Sequence, residues 1–263
     1  MDLGLKNKIA LIAGASRGLG FAAALALARE GCRVALVSRD ADKVREAAEK
    51  IASETGAQVV GLAGDVSQAD VPARIVAQVV EKFGGLDLLL TNTSGPAPGA
   101  FEALDEAAWK NGIEFAFLSH VRLVKAALPH LKKSQAASVL ALTSYSVKQP
   151  IPNLHISNSV RAATAGLMKS LAMELGKDGI RFNTILPGWT VTERVEELIQ
   201  FRAKNSGSTV EAEMAKIIAE IPLGRMADPE EFGNVAAFLL SPAASYVHGV
   251  ALAVDGGIIK GTF

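Results

Sequence analysis

The stretch IALIAGASRGLG at residues 9–20 constrains this chain more than any other. There an apolar run meets a glycine-rich turn and passes at once into a helical pattern over 21–30. Strand, tight loop and helix in that order turn an otherwise weak glycine pattern into a candidate dinucleotide loop. Gly14 is expected to turn the chain out of the strand, Gly18 to admit a pyrophosphate close to the backbone, and Gly20 to let the start of the helix pack tightly. The unpaired N–H groups at the beginning of such a helix favour negative charge.

The alternation then repeats. Strands are expected at 33–38, 58–64, 86–92, 137–143, 180–186 and 251–254, and helical patterns at 40–54, 68–83, 105–130 and 157–176. Seven strands joined by helices predict a Rossmann-like α/β fold, a doubly wound parallel sheet with helices on both faces. Region 193–221 breaks the rhythm of short connectors. It divides into two expected helices, about 193–204 and 209–220, around Asn205, Ser206, Gly207 and Ser208. A helical substrate flap is the expected role, with fixed packing or a subunit contact as the alternative. Nothing resembles an interdomain linker, so residues 1–263 are expected to form one nucleotide-binding domain.

Composition narrows the partners. With 27 basic and 27 acidic residues, no broad nucleic-acid or anionic-membrane footprint is expected. No apolar stretch reaches the length of a membrane span, and the amino terminus has no secretory-signal pattern. Cys32 is the only cysteine and cannot form an intrachain disulfide, so a reducing cytoplasmic location is expected. His120, His130, His155 and His248 are dispersed without a zinc spacing, and no metal site is expected.

Further matches lie at Asp65 and Val66, at Asn92, Thr93, Ser94 and Gly95, at Ser144, and at Pro187, Gly188 and Thr192. On these residues and the glycine loop the chain resembles the classical short-chain dehydrogenases/reductases. The tail PLGRMADPEEFGNVAAFLLSPAASYVHGVALAVDGG is similar to bacterial 3-oxoacyl carrier-protein reductases. The resemblance implies an NADPH-dependent reductase of a small carbonyl substrate, assembled as a homotetramer, with a dimer as the smaller alternative. It places Gly14, Ser16, Arg17, Gly18, Leu19, Gly20, Ser38, Arg39, Asp65, Val66, Asn92, Pro187, Gly188 and Thr192 at the cofactor. Ser38 stands where an acidic residue often holds the ribose of NAD. Arg39 and Arg17 beside it suit a 2′-phosphate, which favours NADP. Asp65 is implied near adenine and Asn92 near the nicotinamide ribose.

The same resemblance implies a catalytic set of asparagine, serine, tyrosine and lysine. Ala116 falls at the asparagine, Ser144 at the serine, Ser157 at the tyrosine and Arg161 at the lysine, so one of four is kept. Ser144, Ser157 and Arg161 are the candidate catalytic residues. Plainer roles are a strand-end cap for Ser144, a first-turn hydroxyl for Ser157 and a helix-locking salt bridge for Arg161. Tyr145 carries a phenol shifted by one residue, and His155 offers an imidazole close in sequence to Ser157, with a loop or pocket-wall role preferred. No GxSxG frame surrounds Ser144, which argues against a hydrolytic triad. The competing class is a nucleotide-bound regulatory or scaffolding protein, and an open cleft containing Ser144 would speak against it.

Overall fold

The computed structural model describes residues 1–93 and 95–262; Ser94, within the match at 92–95, lies outside the described residues. The chain alternates β1 (Ile9–Ala13), α1 (Gly18–Arg29), β2 (Arg33–Ser38), α2 (Ala41–Thr55), β3 (Val59–Ala63), α3 (Val71–Phe83) and β4 (Leu88–Thr91). It continues through α4 (Glu106–Ile113), α5 (Ser119–Leu131), β5 (Ser138–Leu142), α6 (His155–Leu175) and β6 (Arg181–Pro187). It closes with α7 (Glu193–Ser206), α8 (Val210–Glu220), α9 (Pro229–Leu240) and β7 (Ala251–Val254). The strands form one parallel sheet in the order β3-β2-β1-β4-β5-β6-β7.

Period-two alternation divides the core into two layers. Ala10 and Ile12 of β1 join Leu27 of α1, Ile51 of α2 and Phe232 of α9 on one face. Ile9, Leu11 and Ala13 join Ile75 of α3, Leu123 of α5 and Met168 of α6 on the other. The expected Rossmann-like layering is therefore present, built on the strands read from the apolar runs.

Local chemistry fixes several boundaries. The Asp40 carboxylate accepts from the backbone N–H groups of Asp42 and Lys43, both at 3.1 Å, and so caps α2 rather than facing the cleft. Thr192 and Thr209 cap α7 and α8 through the N–H groups of Val195 and Ala212. Gly207, at φ +64°, ends α7 and makes the turn expected around 205–208.

Two elements differ from the sequence reading. The tail at 229–240 is a helix, α9, with Pro229 opening it and Asp228 and Glu231 forming a capping box. Those residues carried the signal. The long helical pattern near 105–130 is interrupted by a π-helical turn, Glu114–Leu118, with Ala116 buried inside it. The Thr164 hydroxyl donates to the Ala116 carbonyl at 3.3 Å, supplying a partner at the widened turn. No helix of the described residues is long and apolar enough to cross a membrane.

Candidate active site

A cleft of about 530 Å³ opens at the carboxyl ends of the strands, where the order reverses between β1 and β4. All the sequence-predicted site residues line it except Gly20. Gly20 lies beneath, and the reason is geometric. A Cβ there would lie 2.3 Å from the Gly14 carbonyl oxygen, so α1 approaches the glycine turn as closely as backbone permits. Gly14 itself sits at φ +62°, and a Cβ on it would meet Asn92 Nδ2 at 2.7 Å. Asn92 Nδ2 donates to the Gly14 carbonyl at 3.2 Å, tying β4 to the loop.

This wall suits an anionic dinucleotide. Arg17 precedes α1 in an extended conformation and gives no side-chain cap, so the first N–H groups of the helix are left for a ligand. Ser16 donates to Ser38 at 3.0 Å across the end of β2, and Arg39 is exposed beside them. Arg17 is engaged from above by the carboxylates of Glu193 and Glu197 on α7, an exposed link between the loop and the flap candidate. Asp65 accepts from the Ser67 backbone and hydroxyl, Val66 is buried, and Gly188 passes so close to Asp255 that a Cβ would lie 2.6 Å from its Cα.

At the far end of the cleft the candidate catalytic residues converge. Ser157 and Arg161 share one face of α6, as residues four apart must. Arg161 Nε donates to Ser157 Oγ at 3.1 Å, and Nη1 donates to the Thr143 carbonyl at 2.9 Å. Its guanidinium is buried, with only 9% of the residue exposed. Burial, reinforced by the positive Arg194, lowers the Arg161 pKa to about 10, which leaves it charged at neutral pH. The helix-locking salt bridge weighed from sequence is not made among the described residues. Instead Arg161 braces Ser157 against the end of β5. Ser144 Oγ accepts from the Ser146 N–H at 3.1 Å, which leaves its own proton free to donate into the cleft.

Of the two weighed alternatives, Tyr145 borders the cleft and His155 does not. Tyr145 packs against Trp189, ring centroids 6.4 Å apart, in the small core to which α7 and α8 contribute Ile199 and Ile217. Burial pushes its phenol up to about 12. His155 begins α6 and meets Phe101 edge-on at 5.9 Å, outside the cleft lining. Sequence reasoning missed Arg194, which enters the cleft from the first turn of α7 and donates to the Pro96 carbonyl at 3.3 Å. A cation in a first turn opposes the helix dipole, and that was the available signal.

Comparison with known proteins agrees with this architecture. A family model described as enoyl-(acyl carrier protein) reductase matches residues 14–259. The chain is 31% identical over 257 residues to dehydrogenase/reductase SDR family member 4 of Bos taurus, covering 97% of this chain and 88% of that protein. It is 30% identical to the NADPH-dependent reductase BacG of Bacillus subtilis (strain 168), covering 97% and 99% of the two. The crystal structure of L-sorbose reductase from Gluconobacter frateurii, complexed with NADPH and L-sorbose, superposes with a TM-score of 0.94 at 32% identity. That match covers 99% of this chain and 100% of the other. Glycine loop, parallel sheet and full-length similarity together show that this chain belongs to the short-chain dehydrogenase/reductase family of oxidoreductases.

Proposed function

We propose that the protein is an NADPH-dependent carbonyl reductase whose acid catalysis rests on two serines and an arginine. The observation that carries the reading is the open cleft that joins the glycine loop at one end to Ser144, Ser157 and Arg161 at the other. A regulatory or scaffolding role would not call for that continuity. Arg39, the N–H groups at the start of α1 and Ser16 would hold the cofactor phosphates, with Asn92, Pro187, Gly188 and Thr192 on the nicotinamide side. Arg17 would join them by exchanging its partners on α7. Bound NADPH supplies the hydride.

The rest of the chemistry falls to the chain. Ser144 donates a hydrogen bond to the substrate oxygen. Ser157 accepts from Arg161 Nε and therefore turns its own proton toward the cleft, where it stabilises the developing oxyanion. The guanidinium stays protonated and acts as fixed positive charge, not as a relay. Water entering the open cleft supplies the proton that converts the alkoxide left by hydride addition into the alcohol. Ala116, in the π-helical turn, offers no side-chain donor, so the set departs at three positions from the one that the family resemblance implies. The 3-oxoacyl carrier-protein substrate suggested by the tail is one candidate in this class.

NADPH oxidation measured against acyl, ketone, aldehyde and quinone substrates tests the reading. Turnover with NADH alone, without NADPH binding, would overturn the cofactor assignment. Self-association is proposed through the outer faces of α4, α5 and α6 and the carboxyl-terminal strand, supported by the exposed Ile113, Met173 and Leu252. A homotetramer is expected in light scattering, and a concentration-independent monomer would reject it. Residues 193–221 are proposed as the substrate flap over a single nucleotide-binding domain.

A further inference from the structure

Arg161 is nine-tenths buried yet has no carboxylate partner among the described residues. Two of its nitrogens are used, by Ser157 Oγ and the Thr143 carbonyl, while Nη2 has no acceptor among those residues. Nη2 faces Gly95. A methyl-sized probe built on Gly95 would lie 3.6 Å from Nη2 of Arg161 and 3.6 Å from Nη2 of Arg194, so the two nitrogens are no more than twice that distance apart. Two guanidinium groups thus approach one another at the inner end of a cleft. Burying a cation beside another cation is costly unless an anion bridges them.

The charges nearby do not cancel. Arg17, Arg161 and Arg194 stand against Glu193 and Glu197, and both carboxylates lie toward Arg17 and the outer side of Arg194. One positive charge is left over, at Arg161. Phe115, Leu142, Ile151, Leu154 and Leu198 add apolar surface to the same cleft.

We propose that the substrate is an oxo carboxylic acid with an aliphatic body, its carboxylate bridging Nη2 of Arg161 and Nη2 of Arg194 while its carbonyl oxygen faces Ser144 and Ser157. A carboxylate is the planar anion that guanidinium groups bind best through paired N–H donors. Because Nε of the same guanidinium touches Ser157, the carboxylate and the reacting carbonyl are separated by about one guanidinium width. That spacing fits a 2-oxo or 3-oxo acid. The proposal rests on the reductase reading for the carbonyl, but not for the anion site.

The test uses 2-oxooctanoate and 3-oxooctanoate, each beside its methyl ester, with NADPH. The 2-oxo ester has the more electrophilic carbonyl, so a preference for the acid reports recognition. The acid is expected to exceed its ester at least about tenfold in kcat/KM. Arg194→Gln is expected to cut that ratio by about 30-fold, chiefly through KM, and Arg194→Lys to restore part of it. Calorimetric titration of the same compounds in saturating NADP⁺ reads binding without turnover. Tighter acid binding that is lost in Arg194→Gln, with no NADPH oxidation by any compound, would keep the anion site and reject the reductase reading. Esters matching the acids in both assays, or Arg194→Gln weakening acid and ester alike, would overturn the anion site, and any turnover seen would leave the reductase reading standing.

Discussion

The glycine-loop end of the cleft and its Arg161 end are built on opposite terms. At the loop, contacts run through backbone: Gly20 is pressed on the Gly14 carbonyl, Asn92 holds the same oxygen, and the start of α1 faces the ligand. Such a site tolerates almost no added atom, and its specificity comes from shape. At the Arg161 end the contacts run through side chains with unused hydrogen-bonding capacity, set on a helix and a strand end. Folding geometry dictates the first site. Chemistry dictates the second, and a fold can keep the one while changing the other.

The largest effect that would sharpen this contrast is at Gly20. Gly20→Val is expected to lower NADPH affinity more than about 100-fold and to destabilise the protein by about 2–4 kcal/mol, since both the loop and α1 must shift. Fluorescence titration and urea unfolding check the two parts. A variant that bound and melted normally would break the backbone half of the comparison.

Arg161→Ala should separate the ends. NADPH binding is expected to persist while kcat falls about 10²–10³-fold, the scale of a lost oxyanion donor. Single-turnover kinetics with a saturating substrate measures it. Ser144→Ala is expected to cost about 10–100-fold in kcat, again with the cofactor affinity kept. Equal loss of binding and turnover in both variants would mean that the two ends are one coupled unit.

Within the loop end, Arg39 and Arg17 are distinguished by their partners. Arg39→Ala is expected to reduce the preference for NADPH over NADH about tenfold. Arg17→Ala should reduce it less, because Arg17 must first leave Glu193 and Glu197. Steady-state kinetics with both cofactors ranks them.

The last effect is on stability and concerns His120, buried with Nδ1 2.7 Å from Thr91 Oγ1. Burial, then the nearby Arg161 charge, lowers its pKa to about 3 from an ordinary 6.5. Between those values the unfolded chain binds the proton and the folded chain does not, so stability rises with pH across that window. The contribution is fully present above about pH 6.5 and is lost as pH falls toward 3. Urea midpoints at pH 7 and pH 4.5 should differ with a slope of up to about 1.4 kcal/mol per pH unit from this group. A His120→Asn variant should show a shallower dependence.

Backbone-dictated features were the ones legible in the sequence. Apolar runs gave the strands, the Asn205 to Ser208 turn separated α7 from α8, and the glycine spacing marked the loop, because each is a local rule. Arg194 was not legible, since its approach to Arg161 depends on α7 folding back over Gly95. The partners of Arg17 escaped for the same reason, with 176 positions separating it from Glu193. The π-helical turn at Glu114–Leu118 follows from packing against α6, where Thr164 meets Ala116, and no periodicity announces it.

The strand order has a consequence for the newborn chain. β1, β2 and β3 are neighbours in sequence and in the sheet, so they can pair as soon as they emerge from the ribosome. The free edge of β1 must then wait for β4, whose first residue follows the last of β1 only after three helices and two strands have been made. Until it arrives, a hydrophobic strand edge is open to other chains, and pairings so distant in sequence form slowly. The wall between Gly14 and Asn92 does not exist before that edge closes. A nascent chain halted before β4 would therefore be sticky and blind to its cofactor, and added NADPH would rescue only chains that had already passed that point.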